Sequence, residues 1–103
     1  MTMANELILI VEDNEKNRKL VRDVLQFRGY QTVEAETGED AVRLARERRP
    51  ALILMDIQLP GINGIIALGQ LRSDPTTRAI PVIAVTASAM STRARSSASP
   101  AMG

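Results

Sequence analysis

The chain has no cysteine, no histidine and no tryptophan, and its only aromatic side chains are Phe27 and Tyr30. Without cysteine there is no disulfide, no thiolate nucleophile and no cysteine metal site. Without histidine the commonest metal ligand and the usual general base are both missing. Long hydrophobic runs are lacking too. The longest are Leu7–Val11 and Ala51–Met55, far short of the roughly 20 apolar residues that a membrane-crossing helix needs. The first residues carry Glu6 and no basic cluster, which argues against a secretory signal. Carboxylates, hydroxyls, one tyrosine, Lys16, Lys19 and the arginines are what remain. At 103 residues, 45% hydrophobic and 24% charged, the chain has the length and composition of one soluble domain. The expectation is a cytoplasmic domain whose chemistry is carboxylate chemistry.

Charge is nearly balanced, with 13 basic and 12 acidic side chains. Residues 88–103 carry Arg93 and Arg95 and no acid, so the rest of the chain is slightly acidic. A basic stretch with no aromatics beside it is a poor nucleic-acid surface. No direct nucleic-acid partner and no membrane partner are expected.

Apolar runs and breakers alternate along the chain. Glu6 to Val11 reads as a strand buried on both faces and ends abruptly in Glu12-Asp13-Asn14-Glu15. Leu20, Val21, Val24 and Leu25 lie at helical spacing, with Asn14 as a candidate cap and Gly29 as the stop. Tyr30 to Ala35 is a second strand. Thr37-Gly38-Glu39-Asp40 resembles a capping box and opens a helix with Ala41, Leu44 and Ala45 inward, closed before Pro50. Ala51 to Met55 is a third strand, ending at Asp56. The turn-rich loop Gln58 to Gly64 leads into a helix from about Ile65 to Arg72, stopped by Ser73-Asp74-Pro75. Because Ile65 and Ile66 are adjacent, one of the two is expected to be exposed. Pro81 to Val85 is a fourth buried strand, ending at Thr86. This βαβ alternation predicts an α/β fold, a doubly wound parallel sheet with helices on both faces. Residues 91–103 are rich in serine and alanine without apolar periodicity. They read as a disordered or adventitious tail, because they bury too little apolar surface to offset ordering entropy.

Three strands end in polar residues: Glu12 and Asp13 after the first, Asp56 after the third, Thr86 after the fourth. In an open parallel sheet the C-terminal strand ends share one edge, and ligands bind in the crevice there. Carboxylates gathered at that edge repel one another and raise each other's pKa. Mg²⁺ relieves such repulsion, being a hard cation that prefers oxygen ligands.

Leu7-Ile8-Leu9-Ile10-Val11-Glu12-Asp13-Asn14, the string from Leu52 through Asp56 and Pro60-Gly61 to Gly64, and Ile80 to Ala87 together resemble the receiver domains of two-component response regulators. The resemblance runs from about Glu6 to Met90. Asp13-Asn14-x-x-Asn17-Arg18 is most similar to stand-alone receivers of the cell-cycle-regulator type and to receivers attached to hybrid kinases. It implies a flavodoxin-like sheet of strand order 2-1-3-4. It also implies that Asp56 is the phosphoacceptor, taking a phosphoryl group from a histidine kinase or a histidine phosphotransfer protein. Asp13, Asp56, the main-chain carbonyl of Gln58 and, through water, Glu12 are implied ligands of Mg²⁺, with Mn²⁺ an alternative. Thr86 is the implied switch residue and hydrogen-bonds the phosphoryl group. Pro60, Gly61 and Gly64 shape the loop, and Ala87 leaves room for the phosphodonor. Such a domain is not an enzyme in the usual sense; it assists its own phosphorylation and dephosphorylation.

The chain departs from that family after the fourth strand. The family has a fifth strand ending in a phosphoryl-clasping lysine, then a fifth helix. Here no lysine follows Lys19, and no fifth strand or helix pattern appears. Residues 1–90 are therefore expected to be an incomplete receiver, truncated after the fourth strand. Lys16 and Arg93 are the candidate substitutes for the lost cation. An apolar fourth strand left at the edge is expected to favour self-association. Two other readings stay open. One is a switch-impaired receiver acting only as an interaction module. The other is an acidic-cluster phosphatase or nuclease, which Gln58 disfavours by standing where such enzymes carry a second aspartate.

Overall fold

The computed structural model describes residues 5–56 and 64–85. The loop with Gln58, Pro60 and Gly61, the segment with Thr86 and Ala87, and the expected tail 91–103 with Arg93 lie outside the described residues. Seven elements follow in order: β1 Leu7–Val11, α1 Glu15–Phe27, β2 Gln31–Ala35, α2 Gly38–Arg48, β3 Leu52–Asp56, α3 Gly64–Ser73 and β4 Val82–Val85. The strands form one sheet of order β2-β1-β3-β4, and every pairing is parallel. The fold is thus the expected flavodoxin-like α/β arrangement. The chain steps to one side of β1 for β2 and to the other for β3, so the strand order reverses between β1 and β3. That switch point is where open α/β sheets leave a crevice.

Strand residues alternate between the two faces of the sheet. Leu9, Val11, Ile53 and Met55 point to one face and join Ala41, Val42 and Ala45 of α2 and Ala67 and Leu71 of α3 in the buried core. Small alanines on both helices let them lie close to the sheet. Ile8 and Ile10 point the other way and are also buried, beneath α1. Pro50 turns the chain into β3, and Ala51 N–H donates to Leu7 carbonyl oxygen at 2.8 Å.

The breakers act where local chemistry predicts. Asn14 is the N-cap of α1, its side chain accepting from Asn17 N–H at 3.0 Å. Thr37 caps α2 by accepting from Asp40 N–H at 3.1 Å. Gly29 follows α1 with φ 94, a left-handed conformation that glycine adopts without steric cost. Arg49 ends α2 at φ 46 and ψ 63, in a position where glycine is the usual residue. After α3, buried Thr77 donates its hydroxyl to Leu71 carbonyl oxygen at 2.8 Å and satisfies an orphan acceptor at the helix end.

Two expectations about packing are corrected. Ile65 and Ile66 are both exposed, at 69% and 48%. Helix α3 instead turns Gly64, Ala67 and Leu71 inward, because those small and γ-branched positions fill the space beside α2. On α1, Leu20 and Val24 are exposed and Val21 and Leu25 half-buried, and the flank that carries Arg18 and Arg22 faces β2. Strand β4 is not fully buried, although Val82 is packed against the core. It is the outer strand among the described residues, with Ile83 and Ala84 exposed.

Candidate functional site

The site grows out of strand register. Val11 of β1 lies opposite Met55 of β3, so the next residues, Glu12 and Asp56, emerge side by side at the C-terminal edge. Glu12 prolongs the pairing to β2 by one residue, its N–H donating to Ala35 carbonyl oxygen at 3.0 Å. Asp13 then turns toward solvent before the Asn14 cap. The structure brings Glu12, Asp13 and Asp56 together, with one carboxylate oxygen from each inside a 4.8 Å cluster. Glu12 and Asp56 are both 4% exposed, whereas Asp13 is open to solvent.

Burial pushes the Glu12 carboxyl above its ordinary range, and the nearby Asp56 and Asp13 charges add to the rise. The Asn14 N–H, which donates to Glu12 Oε2 at 3.1 Å, opposes it, and the Asn17 side chain favours the charged form as well. The pocket therefore gathers negative charge in a desolvated place and holds it beside the N-cap of α1.

A second set of contacts lies behind Glu12. Arg18 Nη1 donates to Glu12 carbonyl oxygen at 2.9 Å, and Arg18 Nε donates to Glu34 Oε1 at 2.9 Å. Its third nitrogen, Nη2, pairs with Glu36 Oε2 at 3.6 Å. One turn on, Arg22 Nη1 pairs with Glu34 Oε2 at 3.1 Å. Sequence reasoning singled out Asn17 and Arg18 only as marks of family subtype. Glu34 and Glu36, two apart at the end of β2 and facing arginines spaced by four on α1, are the signal that points to this network.

The three carboxylates suit a hard divalent cation: they are oxygen donors, clustered and mutually repelling. Gln58 and Thr86 lie outside the described residues. The β4 register nevertheless sets Val85 opposite Asp56. Lys16 lies exposed on the first turn of α1.

Comparison with known proteins agrees with this geometry. The family model for the response regulator receiver domain matches residues 8–102. The polar-differentiation response regulator DivK of Brucella anthropi is 54% identical over 83 residues, covering 81% of this chain and 68% of that protein. Its counterpart in Brucella ovis is 53% identical over the same length. Among solved structures, the receiver domain of a sensor histidine kinase from Pseudomonas aeruginosa superposes with a TM-score of 0.79 at 38% identity. The match covers 84% of this chain and 71% of that one, and that structure holds a magnesium ion in its active-site cleft. The Mn²⁺-bound form of the response regulator Rcp1 superposes with a TM-score of 0.73 at 29% identity, covering 79% of this chain and 65% of that one. With the switch-point acids, the sheet order and the sequence match in agreement, the chain belongs to the response regulator receiver domains of two-component signalling.

Proposed function

We propose that this receiver accepts a phosphoryl group on Asp56 from a histidine kinase or a histidine phosphotransfer protein. The observation that carries the reading is the convergence of Asp56 with Glu12 and Asp13 at the switch point of the sheet. In the transfer, an Asp56 carboxylate oxygen forms a bond to phosphorus as the bond from phosphorus to the donor imidazole nitrogen breaks, and that nitrogen then takes up a proton. Burial of Asp56 at the rigid end of β3 holds the nucleophile in one place.

Asp13 and Asp56, with Glu12 behind them, are the side chains that would hold Mg²⁺ or Mn²⁺; relatives of the same fold carry those ions. A bound divalent cation supplies charge neutralisation for the transferring group. The main-chain carbonyl of Gln58 as a further ligand, and Thr86 as the phosphoryl-bonding switch, belong to the same proposal. So does the view that the domain assists its own phosphorylation and dephosphorylation without turning over a separate substrate. No described helix is long and apolar enough to cross a membrane, which fits a cytoplasmic partner of a kinase.

Intact-mass analysis after incubation with acetyl phosphate and Mg²⁺ tests the reading. One phosphoryl adduct is expected on the wild type and none on Asp56→Asn. A wild type that takes no adduct would instead establish an interaction module that keeps the fold without the switch. Self-association through the β4 edge is part of the proposal as well. A single monomeric species across a concentration series in sedimentation would remove it.

A further inference from the structure

Glu12 is held at both its main chain and its side chain. Its N–H is taken by Ala35 and its carbonyl by Arg18. Its carboxylate is taken by Asn14 N–H. These contacts come at the last rung of the β1–β2 pairing, and among the described residues they fix the direction in which Glu12 and Asp13 leave the strand. Arg18 is well placed to do so. Its side chain is only 12% exposed, and its planar fork spans an α1–β1–β2 junction: Glu12 carbonyl oxygen, Glu34 and Glu36.

The charge arithmetic matters as much as the geometry. A cation placed against the acidic pocket would compete with any metal for it. Arg18 meets Glu12 at a neutral carbonyl, while its positive charge is matched by Glu34 and Glu36 on the far side. It can therefore brace the strand end and leave the negative potential of the pocket intact. Lysine could not reproduce this, because an ammonium is a compact point charge without the fork that reaches several acceptors in one plane.

We propose that Arg18 is a positioning residue for the acidic pocket, clamping the Glu12 main chain to Glu34 so that the pocket keeps a spacing that binds a divalent cation. The inference rests on the metal-binding reading above. Residues that hold metal ligands in place typically carry 10–100-fold in affinity, or about tenfold at the low end.

Mn²⁺ titration of the full chain by calorimetry, with urea melts of the metal-free protein alongside, provides the test. Arg18→Ala and Arg18→Lys are each expected to weaken Mn²⁺ binding by about tenfold or more. Arg22→Ala, which breaks the neighbouring ion pair to the same Glu34, is expected to lower the urea midpoint while leaving Mn²⁺ affinity within about twofold. Arg18 variants that bind like the wild type would overturn the inference alone. So would Arg22→Ala weakening Mn²⁺ as much as Arg18→Ala, since the network would then act only through stability. A wild type that binds no Mn²⁺ would overturn both this inference and the reading beneath it. Should Arg18→Ala not fold, Arg18→Lys decides the matter by the same readout.

Discussion

The two faces of the sheet are built on different principles. On one, Leu9, Val11, Ile53 and Met55 meet the alanines and Leu71 of α2 and α3 in a dry core. On the other, α1 approaches β2 through a polar ladder: Arg18 and Arg22 to Glu34, then Gln26 Nε2 donating to Thr32 Oγ1 at 2.9 Å. Steps of four on the helix meet a step of two on the strand, so donors and acceptors stay matched along the seam. Among the described residues, none on α1 is fully buried. The apolar face supplies most of the folding free energy, since burial of apolar area is the dominant favourable contribution. The α1 face buries Ile8 and Ile10 and adds direction through its polar ladder, whose first rung ends on Glu12.

Substitutions on each face should separate these roles. Leu71→Ala, at a fully buried site between α3 and the sheet, is expected to cost about 2–5 kcal/mol in urea unfolding. A loss below 1 kcal/mol, by the same measure of cavity cost, would mean that the apolar face is not the stabilising one.

Acid should act at the rim of the same face. Asp74 accepts from Thr76 N–H and hydroxyl and pairs with Arg46 at 2.6 Å, joining the α3–β4 turn to α2. The Thr76 bonds first, and Arg46 with them, hold the Asp74 carboxyl at about 2, below its ordinary 3.8. A carboxyl depressed in the folded state stabilises the fold above its unfolded pKa and loses that contribution as pH falls through the folded value. The Asp74 contribution is therefore complete above about pH 4 and lost on the way down to about 2. In Asp74→Asn, the urea midpoint is expected to fall less steeply across that window than in the wild type.

The smallest effect is expected on the outer side of α1. Phe27 is 88% exposed, so Phe27→Gln should shift stability by no more than about 0.5 kcal/mol. A larger loss would show that the outward side of α1 carries packing of its own.

Much of this was legible in the sequence because its causes are local. The runs Leu7–Val11 and Leu52–Asp56 are strands, and Asn14 and Thr37 cap helices, since β-branched runs and side-chain acceptors act on their immediate neighbours. Helix rotation was less legible. Leu20 and Val24 look as apolar as Val21 and Leu25, yet only the second pair turns toward the sheet. Likewise Ile65 and Ile66 both face outward. Amphipathic spacing defines a stripe, but a broad stripe leaves the helix free to rotate until it meets its actual neighbour.

The candidate site divides along the same line. That Glu12, Asp13 and Asp56 stand at strand ends is written in the order of residues, because an apolar run must stop where charge begins. Their meeting within 4.8 Å needs β1 and β3 to be neighbours in one register, a pairing between segments some forty positions apart along the chain. The grip of Arg18 on Glu12 and Glu34 needs still more: helix α1 must settle over β2 at one rotation, with the arginine fork in the plane of all three acceptors. Local propensity decides which residues become strand, helix and cap, whereas the directions in which side chains meet are set only when distant elements pack.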